Sequence, residues 1–67
     1  MEFIVDQRKN DKFLVNLYKC VKSGLFYIEV REKVNPIDPL WVTKGIKKLE
    51  EAITEYIKTC DQWLREV

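Results

Sequence analysis

The fold is decided by residues 13–34, FLVNLYKCVKSGLFYIEVREKV. Apolar and polar residues alternate here with a period of two, which is the pattern of β-strands with one buried face. Ser23-Gly24 interrupts the alternation, and a two-residue loop containing glycine, which tolerates positive φ, is typical of a β-hairpin. We therefore predict two antiparallel strands joined at Ser23-Gly24, with Lys22 facing Leu25 across the turn.

This loop sets the register of the predicted hairpin. Leu17 then faces Val30, and the apolar side chains of both strands fall on one face of the sheet. The predicted core-facing residues are Phe13, Val15, Leu17, Val21, Phe26, Ile28, Val30 and Val34. A slip by one residue would scatter them over both faces, so the hydrophobic pattern specifies the register. Lys19 is the misfit on the apolar face and is expected to extend its amine beyond the rim.

A further strand is predicted before the hairpin. Residues 3–5, Phe-Ile-Val, are β-formers, and residues 8–11 read as a polar turn that leads into the hairpin. The X-Pro pairs Asn35-Pro36 and Asp38-Pro39 end the hairpin, because proline has no N–H to donate to a ladder.

Residues 40–43 have two interpretations. Leu-Trp-Val-Thr is either a fourth strand or, with Asp38 as N-cap and Pro39 at the first helical position, the start of a helix. We favour the strand, because Trp, Val and Thr are β-formers and Gly45 would destabilise a helix by about 1 kcal/mol.

The C-terminal third of the chain predicts one amphipathic helix. Its apolar residues recur at spacings of three and four, as expected for the buried stripe of a helix. They are Ile46, Leu49, Ile53, Tyr56, Cys60, Trp63 and Val67, with Ile57 and Leu64 widening the stripe. The predicted architecture is a single α+β domain over residues 1–67, with an antiparallel β-sheet of three to four strands in residues 1–46 and a helix at 47–66 (ββββα).

The end of this helix is a candidate surface for self-association. A helix of about 20 residues is about 30 Å long, and strands of six to nine residues span about 20–30 Å, so the last turns can extend beyond the sheet. An exposed apolar patch of this kind usually binds a partner. The predicted homodimer interface consists of Tyr56, Cys60, Trp63 and Leu64. In the alternative, Trp63 covers the edge of the core within one chain.

Composition argues against most catalytic chemistry. The 67 residues include no His, and the only glycines are Gly24 and Gly45, so neither a neutral-pH general base nor a glycine-rich phosphate loop is available. The two cysteines, Cys20 and Cys60, lie far apart in sequence and lack metal-ligand spacing. We expect no enzyme activity, no cofactor and no metal. With no secretory signal pattern and no apolar run of membrane-spanning length, we expect an intracellular protein with reduced thiols.

The face of the hairpin away from the core carries the candidate binding residues. Its members combine aromatic rings with cationic and amide groups, and they are Lys12, Asn16, Tyr18, Lys22, Tyr27, Arg31 and Lys33. In the predicted register Tyr18 and Tyr27 are diagonal neighbours. Bases of a single strand stack on such rings while cations follow the phosphates. Tyrosine and arginine are also favoured residues at protein–protein interfaces, so this face could instead bind a protein. On an exposed strand both residue types also occur where no ligand binds.

Three short motifs resemble the positive cofactor four family of transcriptional coactivators, over about residues 3–57. They are Arg8-Lys9-Asn10 between two strands, the run YIEVRE at residues 27–32, and Lys44-Gly45-Ile46 before the helix. The resemblance implies a homodimer that binds single-stranded DNA through a four-stranded sheet followed by one helix. It also implies that Arg31 and Lys22 contact the DNA.

Two function hypotheses follow from these observations. The first is a non-catalytic module that binds single-stranded DNA or RNA through the polar and aromatic sheet face. The second is a small protein-binding adaptor or inhibitor of the kind that viral and plasmid genomes encode. The near-neutral net charge of +1 and the apolar stripe at Trp63 and Leu64 favour it.

Overall fold

The computed structural model describes residues 2–35 and 37–65. Four strands form one antiparallel sheet in the order β1-β2-β3-β4, and one helix follows. The elements are β1 Glu2–Lys9, β2 Phe13–Cys20, β3 Phe26–Glu32, β4 Pro39–Val42 and α1 Leu49–Trp63. The predicted α+β class and ββββα order are confirmed. Of the residues named above, Pro36 and Val67 lie outside the described part of the chain.

The register of the central hairpin differs from the predicted one by two residues. Leu17 faces Ile28 rather than Val30, and Tyr18 lies directly opposite Tyr27 rather than diagonal to it. A shift of two residues leaves every side chain on its predicted face, since side chains alternate with a period of two. The face assignment is therefore right although the register is wrong.

The turn between β2 and β3 explains the shift. Residues 21–25 all lie outside the strands, and four of them, residues 21–24, form the turn between Cys20 and Leu25 instead of the predicted two. The backbone N–H of Cys20 donates to the carbonyl of Leu25 (2.9 Å), and that of Gly24 donates back to Cys20 (2.7 Å). Gly24 has φ +75°, the conformation for which glycine was expected here. Val21, predicted as a core residue, lies in this turn and is 55% exposed.

The core lies between the sheet and the helix. It consists of Val15, Leu17, Phe26, Ile28, Val30, Ala52, Tyr56 and Cys60, with Phe13, Ile46, Trp63 and Leu64 packed against it. Burying these apolar surfaces supplies the main driving force for folding. Val34, the other predicted core residue that fails, follows the end of β3 and is 85% exposed.

Helix α1 packs over β2 and β3, the two central strands. It is shorter than predicted at both ends: Lys48 is the N-cap and makes no side-chain capping bond, and Leu64 is the C-cap. Its buried residues are Ala52, Tyr56, Thr59 and Cys60. Three apolar residues of the predicted stripe, Leu49, Ile53 and Ile57, are 41–47% exposed. We call these three residues the helix flank.

Strand β1 is longer than predicted and forms one edge of the sheet. Arg8 and Lys9 belong to it, whereas the sequence placed them in a turn. The turn begins at Asn10, whose Oδ1 accepts hydrogen bonds from the backbone N–H of Lys12 (2.8 Å) and of Phe13 (2.7 Å). An asparagine that bonds to the backbone two and three residues on is a common turn-forming device. A bulge between Ile4 and Asp6 adds one residue to β1 relative to β2.

Candidate nucleic-acid interface

The outer face of the sheet, the face opposite the helix, carries three rows of side chains that run across the strands. Paired residues in neighbouring strands point to the same face, so the rows follow from the register. The aromatic row contains Ile4, Tyr18 and Tyr27; the polar row contains Gln7, Asn16, Glu29 and Val42; the basic row contains Lys9, Leu14 and Arg31. Aromatic and cationic groups are therefore separated by a band of neutral and acidic groups.

Tyr18 and Tyr27 form a stacked pair. Their ring centroids are 5.4 Å apart and the ring planes differ by 18°. Both side chains are half-buried, so one part of each ring faces solvent. Burial raises the pKa of Tyr18, and the nearby carboxylate of Glu29 raises it further. The phenol is therefore neutral at physiological pH and presents an uncharged aromatic platform.

A hydrogen-bonded network occupies the polar row. Gln7 Nε2 donates to Asn16 Oδ1 (2.7 Å), and Asn16 Nδ2 donates to Glu29 Oε1 (3.0 Å). Asn16 is only 4% exposed although it lies on the outer face. Buried polar groups destabilise a fold when they lack hydrogen-bond partners. This network supplies those partners, and its hydrogen bonds link β1, β2 and β3. Asn16 therefore has a structural role rather than that of a free contact.

Arg31 is held in the same network. Its Nε and Nη2 donate to the two carboxylate oxygens of Glu29 (3.0 and 3.1 Å), and its Nη1 donates to the carbonyl of Ile37 (3.0 Å). The hydrogen bond to Glu29 is the main cause that raises the pKa of Arg31. The side chains of Arg31 and Glu29 are 25% and 13% exposed. A phosphate would therefore compete with Glu29 for this guanidinium.

The lysines of the face lie at its two ends. Lys12 and Lys33 are adjacent, since the N–H of Lys33 donates to the carbonyl of Lys12 (2.9 Å), and both are exposed. Lys9 lies on the outer face at the same end, opposite Leu14. Lys22 lies in the turn at the other end, about 25–30 Å away at 3.3 Å per strand residue. We call Lys9, Lys12 and Lys33 the lysine cluster.

The structure thus brings together only part of the predicted site. Tyr18 with Tyr27, and Lys12 with Lys33, are neighbours, whereas Lys22 is remote from the lysines. Sequence reasoning missed Lys9, because β1 was predicted to end before it.

Gln7 and Glu29, the partners of Asn16, were also missed as members of the site. The signal available for Glu29 was its position between Tyr27 and Arg31 on the same face of one strand. Only the true register, however, places it opposite Asn16.

The predicted dimer residues are used within the single chain. Tyr56 and Cys60 are 2% and 5% exposed. Trp63 packs edge-to-face on Phe13, with ring centroids 5.3 Å apart, and Leu64 is half-buried. Trp63 therefore covers the edge of the core, the alternative that the sequence left open. The exposed apolar residues of α1 are instead those of the helix flank.

Two further findings concern the described residues. They contain no group of three or more His, Cys, Asp or Glu side chains that could hold a metal ion. The same residues include no helix long and apolar enough to cross a membrane. Comparison with known proteins adds no relative: no family model, no curated protein and no solved structure matches the chain.

Proposed function

We propose that the protein binds single-stranded DNA or RNA through the outer face of its sheet, without catalysis. The observation that carries the proposal is the stacked pair of Tyr18 and Tyr27, half-buried on an open sheet face whose far end holds the lysine cluster. Aromatic platforms for bases together with cations for phosphates are the recurring means of single-strand binding.

The arrangement of the rows suggests how a strand would lie. Unpaired bases stack on the solvent-facing parts of the tyrosine pair, at about 1–3 kcal/mol per base. The backbone then runs along the hairpin toward the lysine cluster, where phosphates meet Lys12 and Lys33. Stacking on a ring requires only a base with a free π-face, so the proposed binding has weak sequence preference and disfavours duplex.

The resemblance to the positive cofactor four family favours the same face. The matching run at residues 27–32 contains Tyr27 and Arg31, which both lie on the outer face. Of the two residues implied to contact DNA, Arg31 is paired with Glu29 in the protein alone, and Lys22 lies in the turn at the end opposite the lysine cluster. The proposal therefore assigns the first contacts to the tyrosines and lysines, and gives Arg31 a role only after it exchanges Glu29 for a phosphate.

The test is a fluorescence anisotropy titration with a labelled single strand at two salt concentrations, and with a duplex of the same sequence. We expect the single strand to bind more tightly and added salt to weaken binding. Replacing both Tyr18 and Tyr27 by Ala removes the platform and should weaken binding by about 1–3 kcal/mol for each stacked base lost. Trp41→Ala is the matched control, because Trp41 is an exposed aromatic on the helix side of the sheet, opposite Val30 in β3. Equal loss in both variants, or none in either, would contradict the assignment.

A second candidate function, a protein-binding adaptor or inhibitor, is favoured by the helix flank. Leu49, Ile53 and Ile57 expose 41–47% of their surface on one side of α1, and contiguous exposed apolar groups usually mark an interaction site. A stoichiometric partner that survives nuclease treatment and is lost from the Ile53→Glu/Ile57→Glu variant would support this function. If the variant retains that partner, the helix flank is not the site that binds it.

A further inference from the structure

Strand β1 is an edge strand with unusual exposure. All eight of its residues, Glu2–Lys9, are exposed. Its first half contains three consecutive apolar residues, Phe3, Ile4 and Val5, which are 51%, 56% and 42% exposed. A long edge strand with an apolar run is a template for pairing with another strand, and proteins usually shorten or cover such edges.

The hydrogen-bonding pattern of the sheet shows which backbone groups of β1 point outward. On β2, the outer-face residues use their backbone groups toward β3, as the Cys20–Leu25 and Lys12–Lys33 bonds show. By the alternation of an antiparallel ladder, the helix-side residues of β2 bond toward β1. On β1 the helix-side residues therefore bond back to β2. The backbone N–H and C=O groups of its outer-face residues, Glu2, Ile4, Gln7 and Lys9, are directed away from the sheet.

The two ends of β1 carry opposite charges, Glu2 and Lys9, which an antiparallel pairing with a second copy brings together. If Glu2 of one strand faces Lys9 of a second copy, Ile4 faces Gln7 and Phe3 faces Arg8. Each of these pairs joins residues on the same face of the sheet. The outward backbone groups of the two copies then face one another in two kinds of pair, Glu2 with Lys9 and Ile4 with Gln7. Hydrogen-bonded pairs of an antiparallel ladder require this arrangement.

The charges and the bulge both fit this register. The acidic Glu2 meets the basic Lys9 twice, once on each side of the two-fold axis. Phe3 meets the aliphatic part of Arg8, whose guanidinium lies over the Tyr56 ring of its own chain, 5.7 Å from the ring centroid. The bulge between Ile4 and Asp6 adds the same extra residue to both strands, so the pairs on either side of it stay aligned.

We propose that a second copy of this chain docks on β1, forming an antiparallel β1–β1 pair with Glu2 opposite Lys9. The two-fold axis is perpendicular to the sheet, so both helices lie on one side and the two outer faces join into one eight-stranded surface. This interface differs from the one predicted at the end of α1, where Tyr56 and Cys60 are buried within the chain. The proposal does not rest on nucleic-acid binding.

The test is the molar mass in solution, measured by light scattering or sedimentation over a dilution series without nucleic acid. We expect twice the 8.1 kDa of one chain at high concentration and dissociation on dilution. Glu2→Lys and Lys9→Glu each create two like-charge contacts in place of two attractive ones, and each should raise the dimer Kd roughly tenfold. Lys47→Glu, an exposed charge reversal outside the sheet, is the matched control and should leave the Kd unchanged. Circular dichroism verifies that every variant is folded.

Restoring dimerisation by exchanging the two charges distinguishes this β1–β1 register from dimerisation through any other surface. An equimolar mixture of the Glu2→Lys and Lys9→Glu chains has only attractive cross-strand contacts in the mixed dimer, so it should recover the wild-type Kd. The double variant Glu2→Lys/Lys9→Glu should recover it as a homodimer. A wild-type mass of 8.1 kDa at every concentration would overturn the proposal. A dimer insensitive to both single reversals would overturn it as well.

Discussion

Glu29→Gln should tighten single-strand binding, although the substitution removes stabilising contacts. In the protein alone, Glu29 accepts two hydrogen bonds from Arg31 and one from Asn16. It also places a negative charge between the aromatic and basic rows. A glutamine is close in size, so the substitution changes charge and hydrogen bonding but little else.

The magnitude follows from the bonds that the glutamine can keep. Its carbonyl oxygen can still accept from Asn16 Nδ2 and Arg31 Nε, but its amide faces Arg31 Nη2 as a second donor. One charge-assisted bond is lost, and we expect the free energy of unfolding to fall by about 1–2 kcal/mol. Nη2 of Arg31 loses its Glu29 acceptor and can donate to a phosphate, while Nη1 still donates to the Ile37 carbonyl. We expect this one contact to add about 1 kcal/mol, roughly fivefold in Kd. One additional phosphate contact steepens the dependence of log K on log salt by about 0.7 for a single strand.

The assay is an anisotropy titration at several salt concentrations, alongside thermal unfolding of the same samples. The matched control is Glu32→Gln, which changes the net charge equally but lies on the helix side of the same strand, opposite Phe13. The Glu29→Gln variant should bind the single strand more tightly than the Glu32→Gln variant, and its affinity should depend more steeply on salt concentration. If folded Glu29→Gln binds no better than Glu32→Gln, Arg31 does not contribute to the site and the reasoning fails.

Three further predictions concern stability. Gly45→Ala should lower the free energy of unfolding by about 1 kcal/mol. The added Cβ would lie 2.6 Å from Leu25 Cδ1, which can rotate away, and 3.3 Å from Leu25 Cβ, which cannot. Chemical denaturation measures the loss. Tyr56→Phe should be within about 0.5 kcal/mol of wild type at neutral pH, because the buried hydroxyl has no hydrogen-bond partner among the described residues. Burial raises the pKa of Tyr56 above that of the unfolded chain, so wild-type stability should fall as pH rises above 10, and a pH series should show a shallower fall in the variant. Trp63→Ala should cost about 3 kcal/mol and Ile57→Ala less than about 1 kcal/mol, because Trp63 packs on the core and Ile57 lies on the exposed helix flank; thermal unfolding distinguishes the two.

The alternation of residues 13–34 was enough to predict which face each strand residue occupies. Val15 and Leu17 are buried and Tyr18 and Tyr27 lie on the outer face, as the period of two requires. The register could not be predicted with the same certainty, because Ser23-Gly24 fits a two-residue loop and Val21 fits a core position. The four-residue turn that forms instead depends on backbone hydrogen bonds that leave no separate mark in the sequence.

The two-residue difference between the predicted and the observed register has its largest effect at the candidate site. It turns Tyr18 and Tyr27 from diagonal neighbours into a stacked pair, and it places Glu29 opposite Asn16. An arginine on an open sheet face suggested a free phosphate contact, whereas Arg31 is bonded to a carboxylate two residues away on its own strand. Such pairing depends on side-chain rotamers and local packing, which residue type and spacing do not determine.

The helix shows a similar limit. The spacing of its apolar residues predicted a stripe wide enough to cover a sheet, yet the helix buries Tyr56 and Cys60 and leaves Ile53 and Ile57 exposed. Because α1 lies over the two central strands, the edge of its apolar stripe has no partner within the described residues. Periodicity predicts that a helix has an apolar face, but not how much of that face its own chain covers.

The most direct test of the central claim is an NMR titration of isotopically labelled protein with a short single strand. If the outer face binds, the largest chemical-shift changes should appear at Tyr18, Tyr27 and Lys33, with the helix flank unchanged. Shift changes confined to Ile53 and Ile57, or none at any strand concentration, would contradict the account.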